Sequence, residues 1–253
     1  MITLKSDHEI EKMRRAGGIV ARILNGVKDL IKPGVTTSEL DRYAESACKQ
    51  MGVVPAFKGY KGFPASFCIS INDEVVHGIP SQKRTLKEGD IVGIDFGVID
   101  DGWYGDAART YPVGRISPEA QKLLDVTRES LNCGIAQCIP GNRLMDIGYA
   151  IQNYVESIGF SVVREFVGHG IGRALHEEPQ IPNWGVQGKG VTLKKGMVFA
   201  IEPMINAGKA DVRVLEDGWT AVTVDGRLSA HFEHMVAITD NGPDILTNSE
   251  WIK

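Results

Sequence analysis

One interval runs through this chain. Pro33-Gly34 returns as Pro140-Gly141 and Gly52 returns as Gly159, each 107 residues further on. At the same offset Gly89-Asp90-Ile91-Val92-Gly93-Ile94-Asp95 falls on Gly196-Met197-Val198-Phe199-Ala200-Ile201-Glu202. A constant spacing across turns, helix ends and a strand marks a duplicated unit, not an array of short repeats. The unit opens with two helices. Ser6 and Glu9 read as a capping box before an apolar stripe at Ile10, Met13, Gly17, Val20, Leu24 and Val27. Thr36 and Glu39 repeat the device before Leu40, Tyr43, Ala44, Ala47 and Met51. Ser117-Pro118 starts a third helix, and Ile147, Ile151, Tyr154, Val155 and Ile158 mark a fourth. Strand-forming runs follow each helix pair, which predicts an α/β (α+β) fold of two helix–helix–sheet halves, about 6–110 and 117–240. Long linkers and low-complexity tracts are absent, so residues 1–253 are expected to form a single domain.

The strands carry acids where apolar residues belong. In "GIDFGVIDDGWYGDAART", Gly93 to Thr110, two β runs flank the turn signal Asp100-Asp101-Gly102. A two-residue loop of Asp100 and Asp101 sets Asp95 directly opposite Asp106, and facing like charges destabilise a ladder. The repeat gives Asp95 a counterpart in Glu202, and two halves sharing a sheet bring these acids together at the centre. A second hairpin is predicted from "WTAVTVDG" to "RLSAHFEHMVAIT" around Asp225-Gly226, with Glu233 in its second strand. The return half carries about twenty extra residues here, and the interval fails at this last pair. Singly, each acid is most simply an exposed edge residue or the partner of a buried Arg. Four converging carboxylates, however, need cations, and two divalent ions about 3.5–4 Å apart balance four charges.

His169, set between glycines in "VGHGIGRALHEEPQ", is the remaining ligand candidate, although a lone histidine in such a turn is as readily a loop residue. Oxygen ligands with one imidazole suit Mn, Fe, Co or Zn better than Ca or Mg. A dimetal centre of this kind points to hydrolysis by a bridging water. Residues 176–195, rich in Pro and Gly, read as an ordered surface loop.

Composition narrows the classes. Of 253 residues 43% are hydrophobic and 24% charged, and the net charge is −4. No basic tract stands out, so binding to nucleic acid or an anionic membrane is not expected. No apolar run has the character of a signal peptide or the length of a membrane span. The four cysteines Cys48, Cys68, Cys133 and Cys138 contain no CxxC pair, which argues against a zinc ribbon and for free thiols in the cytoplasm.

The segments "CISINDEVVHGIP", "GDIVGIDFG", "GDAARTYPVG", "VGHGIGRALHEEPQIPNW", "GMVFAIEPM" and "AHFEHMVAIT" together resemble the type I methionine aminopeptidases of bacterial kind, over essentially the whole chain. The resemblance implies the pita-bread fold, whose pseudo-twofold halves agree with the 107-residue repeat. It implies Asp95 on one divalent ion, His169 and Glu202 on the other, and Asp106 with Glu233 bridging both. It makes Glu202 the proton acceptor, His77 a contact to the scissile amide and His176 a support for the carbonyl oxygen. Without it, His77 and His176 read as surface loop histidines. It places Phe57, Tyr60, Phe63, Cys68, Leu175 and Trp219 around the methionine side chain, residues that would otherwise read as core. Phe57 stands where best-studied members have a smaller residue, and Leu175 where they have an aromatic. Asn72 and Ser229 resemble positions near a monovalent-cation site in some members.

By the same resemblance the substrates are nascent polypeptides with a small second residue, met in the cytoplasm by a monomer, with room for transient ribosome association. Two competing functions share the fold. A proline-specific aminopeptidase usually has an added N-terminal domain, whereas here the helical unit begins almost at Met1. A non-catalytic pita-bread binding protein is expected to lose its metal ligands, and all five candidates stand.

Overall fold

The structure, a computed structural model, describes residues 2–248. Four helices carry the repeat: α1 (Asp7–Val27), α2 (Thr37–Met51), α3 (Pro118–Ile135) and α4 (Leu144–Ser157). Both predicted capping boxes form, Ser6 with Glu9 and Thr36 with Glu39, so donors left orphaned in the first turn are satisfied locally. Ser117 caps α3, with Pro118 as its first residue. The predicted stripe of α1 is buried in full, from Ile10 to Val27.

The strands of the first half are β1 (Val54–Pro55), β2 (Phe67–Ile71), β3 (Glu74–Val76), β4 (Ile91–Asp100) and β5 (Trp103–Pro112). In the second half come β6 (Ser161–Val162), β7 (Gly168–Gly170), β8 (Glu177–Ile181), β9 (Val198–Ile201) and β10 (Met204–Asn206). They are followed by β11 (Val212–Val214), β12 (Ala221–Thr223), β13 (Ser229–His231), β14 (His234–Thr239) and β15 (Gly242–Ile245). Every strand pair among the described residues is antiparallel.

The 107-residue interval reaches into the hydrogen bonding. β1 meets β4 with Val54 opposite Ile99, and β6 meets β10 with Ser161 opposite Asn206. The isolated bridges Thr36–Thr85 and Arg143–Thr192 obey it too. β9 and β10 together are thus the counterpart of β4, interrupted at Glu202-Pro203, where proline offers no N–H to a ladder. One core packs α1 and α2 on β2, β4 and β5 through Leu24, Leu40, Phe67 and Phe96. Its twin packs α3 and α4 through Leu123, Ile147, Phe199 and Val236. A third cluster, with Met13, Phe63, Trp103 and Met235, joins them.

Three sequence expectations change. The first hairpin turns on Asp101-Gly102, with Asp100 already paired to Trp103. Both loop residues have positive φ, 49° and 74°, the requirement of a type I′ turn, which Asp-Gly meets and Asp-Asp does not. Asp95 therefore faces Ala108, and Asp106 faces Gly97. The acids lie on one face but diagonally, so the predicted head-on repulsion is relaxed.

The predicted second hairpin does not form. β12 pairs with β11 and β3, whereas β13 pairs with β10. The chain does turn at Asp225-Gly226, where the Asp225 carboxylate accepts from the N–H of Arg227, but each strand then finds a longer-range partner that buries it. Finally, the expected surface loop 176–195 contains β8, which adds to β7. Its Pro179 is tolerated because β8 is the edge of a five-stranded sheet.

Candidate active site

Cross-strand neighbours assemble the site's first face. β4 lies between β2 and β5, and the ladders put Cys68 opposite Asp95 and Gly97 opposite Asp106. Cys68, Asp95 and Asp106 consequently project from one side of the sheet, all buried from solvent or nearly so. The second face comes from the other half. His169 sits opposite Ala200, two residues before Glu202. Its flanking glycines are required by close approach: a Cβ on Gly168 would lie 2.4 Å from the Ala200 carbonyl oxygen, and one on Gly170 2.2 Å from that of Glu178. Glu233 is tied across to the first half, its N–H donating to the Ala108 carbonyl at 2.9 Å.

The five predicted ligands converge. Ligand atoms of Asp106, His169 and Glu233 all lie within 4.8 Å of one another. His169 Nε2 is 3.6 Å from Glu202 Oε1 and 3.8 Å from Asp106 Oδ2. Its Nδ1 is 2.9 Å from the Gly170 carbonyl, which can only accept, so Nδ1 carries the hydrogen. Nε2 of the neutral ring then presents a lone pair to the acids, the arrangement of a metal-ligating histidine. Burial holds this imidazole neutral, its pKa pushed down to about 3.

The carboxylates are as telling. Asp95 Oδ1, Asp106 Oδ1 and Glu233 Oε1 are buried without a hydrogen-bond partner. Burial raises the pKa of all four acids, and the mutual charges of the cluster raise Asp106 and Glu233 further. Protein groups alone leave these oxygens unsatisfied, at a cost of several kcal/mol for each buried charge. Divalent cations satisfy both requirements, and the residues fit them.

Beside this cluster opens a cavity of about 200 Å³. Its walls contain every predicted pocket residue, namely Phe57, Tyr60, Phe63, Cys68, Leu175 and Trp219, together with His77, His176, and the four acids and one imidazole of the cluster. Phe63 meets Trp219 edge to face at 5.2 Å. The Tyr60 hydroxyl is 2.8 Å from His176 Nδ1, and the His176 ring lies 4.3 Å from that of His169. His77 adopts φ 61°, an unfavourable value for a non-glycine residue, and packs edge-on against Phe166 and Trp219. Burial, with the charges of His231 and His176, lowers its pKa to about 4. Asn72 and Ser229 also meet, the Ser229 N–H donating to the Asn72 carbonyl at 2.8 Å.

Two residues at the site escaped the sequence reading. Lys61 lines the cavity and, after burial, is the second cause of the lowered His176 pKa. His231 is buried, with Nε2 3.5 Å from Glu202 Oε2. It ends β13, two residues before Glu233 in the run the sequence offers as one strand, where alternation would put such a pair on one face; that was the available signal.

A fold of two pseudo-equivalent halves around a buried carboxylate–histidine cluster defines a metal-dependent hydrolase. Residues 11–240 match the profile of metallopeptidase family M24, and the chain belongs to this family, whose members bind divalent metal. It is 56% identical over 247 residues to methionine aminopeptidase 1 of Bacillus subtilis, spanning 98% of this chain and 99% of that protein. It is 55% identical over 250 residues to methionine aminopeptidase of Clostridium acetobutylicum, spanning 99% and 100%. The crystal structure of methionine aminopeptidase from Thermotoga maritima superposes with a TM-score of 0.96 at 52% identity, spanning 98% and 100%. The pita-bread fold expected from the sequence is the fold observed. Among the described residues no helix is long and apolar enough to cross a membrane.

Proposed function

We propose that Asp95, Asp106, His169, Glu202 and Glu233 hold two divalent ions, and that the chain uses them in the reaction it performs, removal of the N-terminal methionine from polypeptides. The observation that carries this assignment is the union of orphaned buried carboxylate oxygens with a bare imidazole Nε2 at the floor of an aromatic cavity. The donor set favours Mn, Fe, Co or Zn. When bound, such ions supply Lewis acidity that polarises the scissile carbonyl and activates a water to attack it.

The protein's own groups do the rest. The apolar and aromatic wall of Phe57, Tyr60, Phe63, Cys68, Leu175 and Trp219 receives the unbranched thioether, for which sulfur–aromatic contacts are favourable. Glu202, raised in pKa by burial, accepts the proton of the attacking water at its carboxylate and returns it to the leaving amine. The Tyr60 hydroxyl lies 2.8 Å from His176 Nδ1, and in the tautomer whose Nδ1 accepts from it the Nε2–H is free to stabilise the carbonyl oxygen as it becomes tetrahedral. His77, neutral through burial, offers an N–H to the scissile amide. The substrates are nascent chains with a small second residue, met in the cytoplasm by a monomer that contacts ribosomes transiently. A monovalent cation near Asn72 and Ser229 steadies the junction of β12 and β13.

The test is hydrolysis of Met-Ala-Ser, Lys-Ala-Ser and Ala-Pro-Ser peptides by metal-free protein reconstituted with single metals. Activity should vanish on chelation and return with Mn, Fe or Co, for the methionyl peptide alone. Cleavage of Ala-Pro-Ser would favour a proline-specific peptidase. Full activity in protein shown metal-free by elemental analysis would exclude the assignment.

A further inference from the structure

We infer that His231 is a positioning residue for Glu202, holding one oxygen of that carboxylate so that the other is presented to the metal site. The inference rests on the ligand reading above. Its first support is the ladder. β10 and β13 set Met204 opposite His231, and Met204 is the 107-residue counterpart of Gly97, which faces Asp106. His231 therefore stands where Asp106 stands in the other half, so the repeat itself directs its side chain to the centre. Glu233 instead corresponds to Ala108.

Local geometry gives the second support. The Thr110 hydroxyl donates to the His231 carbonyl at 2.9 Å and accepts from its N–H at 3.0 Å, so the backbone is clamped on both sides. Ring atom Nε2 is buried and has no hydrogen-bond partner, and the polar group it approaches is Glu202 Oε2, at 3.5 Å. Glu202 Oε1, the other oxygen, is the one that approaches His169 Nε2, at 3.6 Å. The two histidines thus divide the carboxylate. A buried imidazole N–H aimed at a carboxylate at this range closes to a hydrogen bond with a small rotation, and it fixes which oxygen remains for the metal. His231 takes no part in lining the cavity, so it acts through Glu202 and not on substrate.

The groups facing His231 agree with this role. Asp95 is close enough for its charge to act on the ring, and the His231 ring in turn acts on His77. A donor between Glu202 and Asp95 keeps two like-charged carboxylates apart and oriented, a task an apolar side chain cannot perform.

The test compares wild type with His231→Leu, His231→Gln and His231→Asn. Metal-free proteins are titrated with Mn²⁺ by calorimetry, and kcat and KM are measured on Met-Ala-Ser. His231→Leu should weaken Mn²⁺ binding by roughly 10- to 100-fold and lower kcat similarly, while KM stays within about twofold. His231→Gln, whose amide reaches as far as Nε2, should recover most of both, and the shorter His231→Asn should not. If His231→Leu fails to fold by circular dichroism, the contrast between Gln and Asn decides alone. Equal Mn²⁺ affinity and kcat in all folded variants, or a Gln variant as impaired as Asn, overturns the positioning role. Failure of the wild type to bind Mn²⁺ overturns the ligand assignment, and this inference with it.

Discussion

At the scale of single residues, the acids of the opening hairpin are explained by what they face. Asp106 is buried, its Oδ1 lacks a hydrogen-bond partner, and Asp95, on the same face, is the first charge raising its pKa. Asp106→Asn keeps the volume and removes one charge. If the two acids merely repel, the change relieves strain and leaves metal content unaltered. As a ligand, its loss should lower bound metal per chain and reduce kcat by at least ~10²-fold, with circular dichroism unchanged. A folded variant with full metal and full rate would remove the carboxylate from the site.

The protonation of this cluster has a pH consequence. Burial pushes Asp95 up to about 7 and Glu202 up to about 8, and Asp106 and Glu233 move in the same direction. The metal-free cluster therefore carries protons near neutrality, and metal binding must release them. His169, lowered to about 3, is already deprotonated at Nε2 and releases none. Metal affinity should rise with pH between about 6 and 8, with protons released on binding. Calorimetry at pH 7 in buffers of different ionisation enthalpy measures that release, and a flat affinity over the interval would contradict it.

At the scale of elements, the register of β4 and β5 decides which side chains stand directly opposite one another on a face. Asp100-Asp101 and Asp101-Gly102 are both two-residue loops within one tripeptide, and a slip between them changes every cross-strand partner. The Asp-Gly preference of type I′ turns is the local signal that distinguishes them, and it is visible in the sequence. The observed register puts Gly97 against Asp106 and under Phe57. A Cβ at Gly97 would lie 2.8 Å from Phe57 Cε1. Gly97→Ala should therefore press Phe57 into the cavity and raise KM for methionyl peptides by about tenfold, the scale of a 1–3 kcal/mol overpacking cost, while bound metal is retained. An unchanged KM would show that Phe57 lies outside the substrate's reach. The misread second hairpin has the opposite lesson. Asp225-Gly226 does turn the chain, but no local rule says that the strands beyond it join different sheets.

At the scale of the whole molecule, the halves are coupled through buried polar ties as well as the shared cluster. Lys5, ahead of α1, donates to Glu177 at the start of β8 at 2.6 Å, with only 4% of the lysine side chain exposed. The other Glu177 oxygen accepts from the N–H groups of Arg173 and Ala174, which sets the turn presenting Leu175 and His176 to the cavity. Lys5→Ala leaves a half-buried carboxylate without its partner and should cost about 2 kcal/mol of stability, less than a fully buried broken pair. Its effect on kcat should exceed its effect on metal content, since it loosens His176 and not the ligands. Denaturant unfolding and peptide kinetics measure the two, and an unaltered midpoint would dismiss the tie.

Short-range physics and repetition account for everything in this fold that is legible along the chain. Caps need a partner three residues away, helix stripes recur every three or four residues, and the 107-residue interval declares two like halves. These were enough to place four helices and to bring Asp95 and Glu202 to the centre. Which atoms meet there was decided only by tertiary structure. His169 Nε2 reaches Asp106 and Glu202 because glycines let β7 approach β8 and β9 within a Cβ's width. His231 occupies the place of Asp106 because β13 pairs with β10 and not with β12. Such contacts join residues tens to more than a hundred positions apart, and their geometry is set by the packing of whole elements, which no local period records.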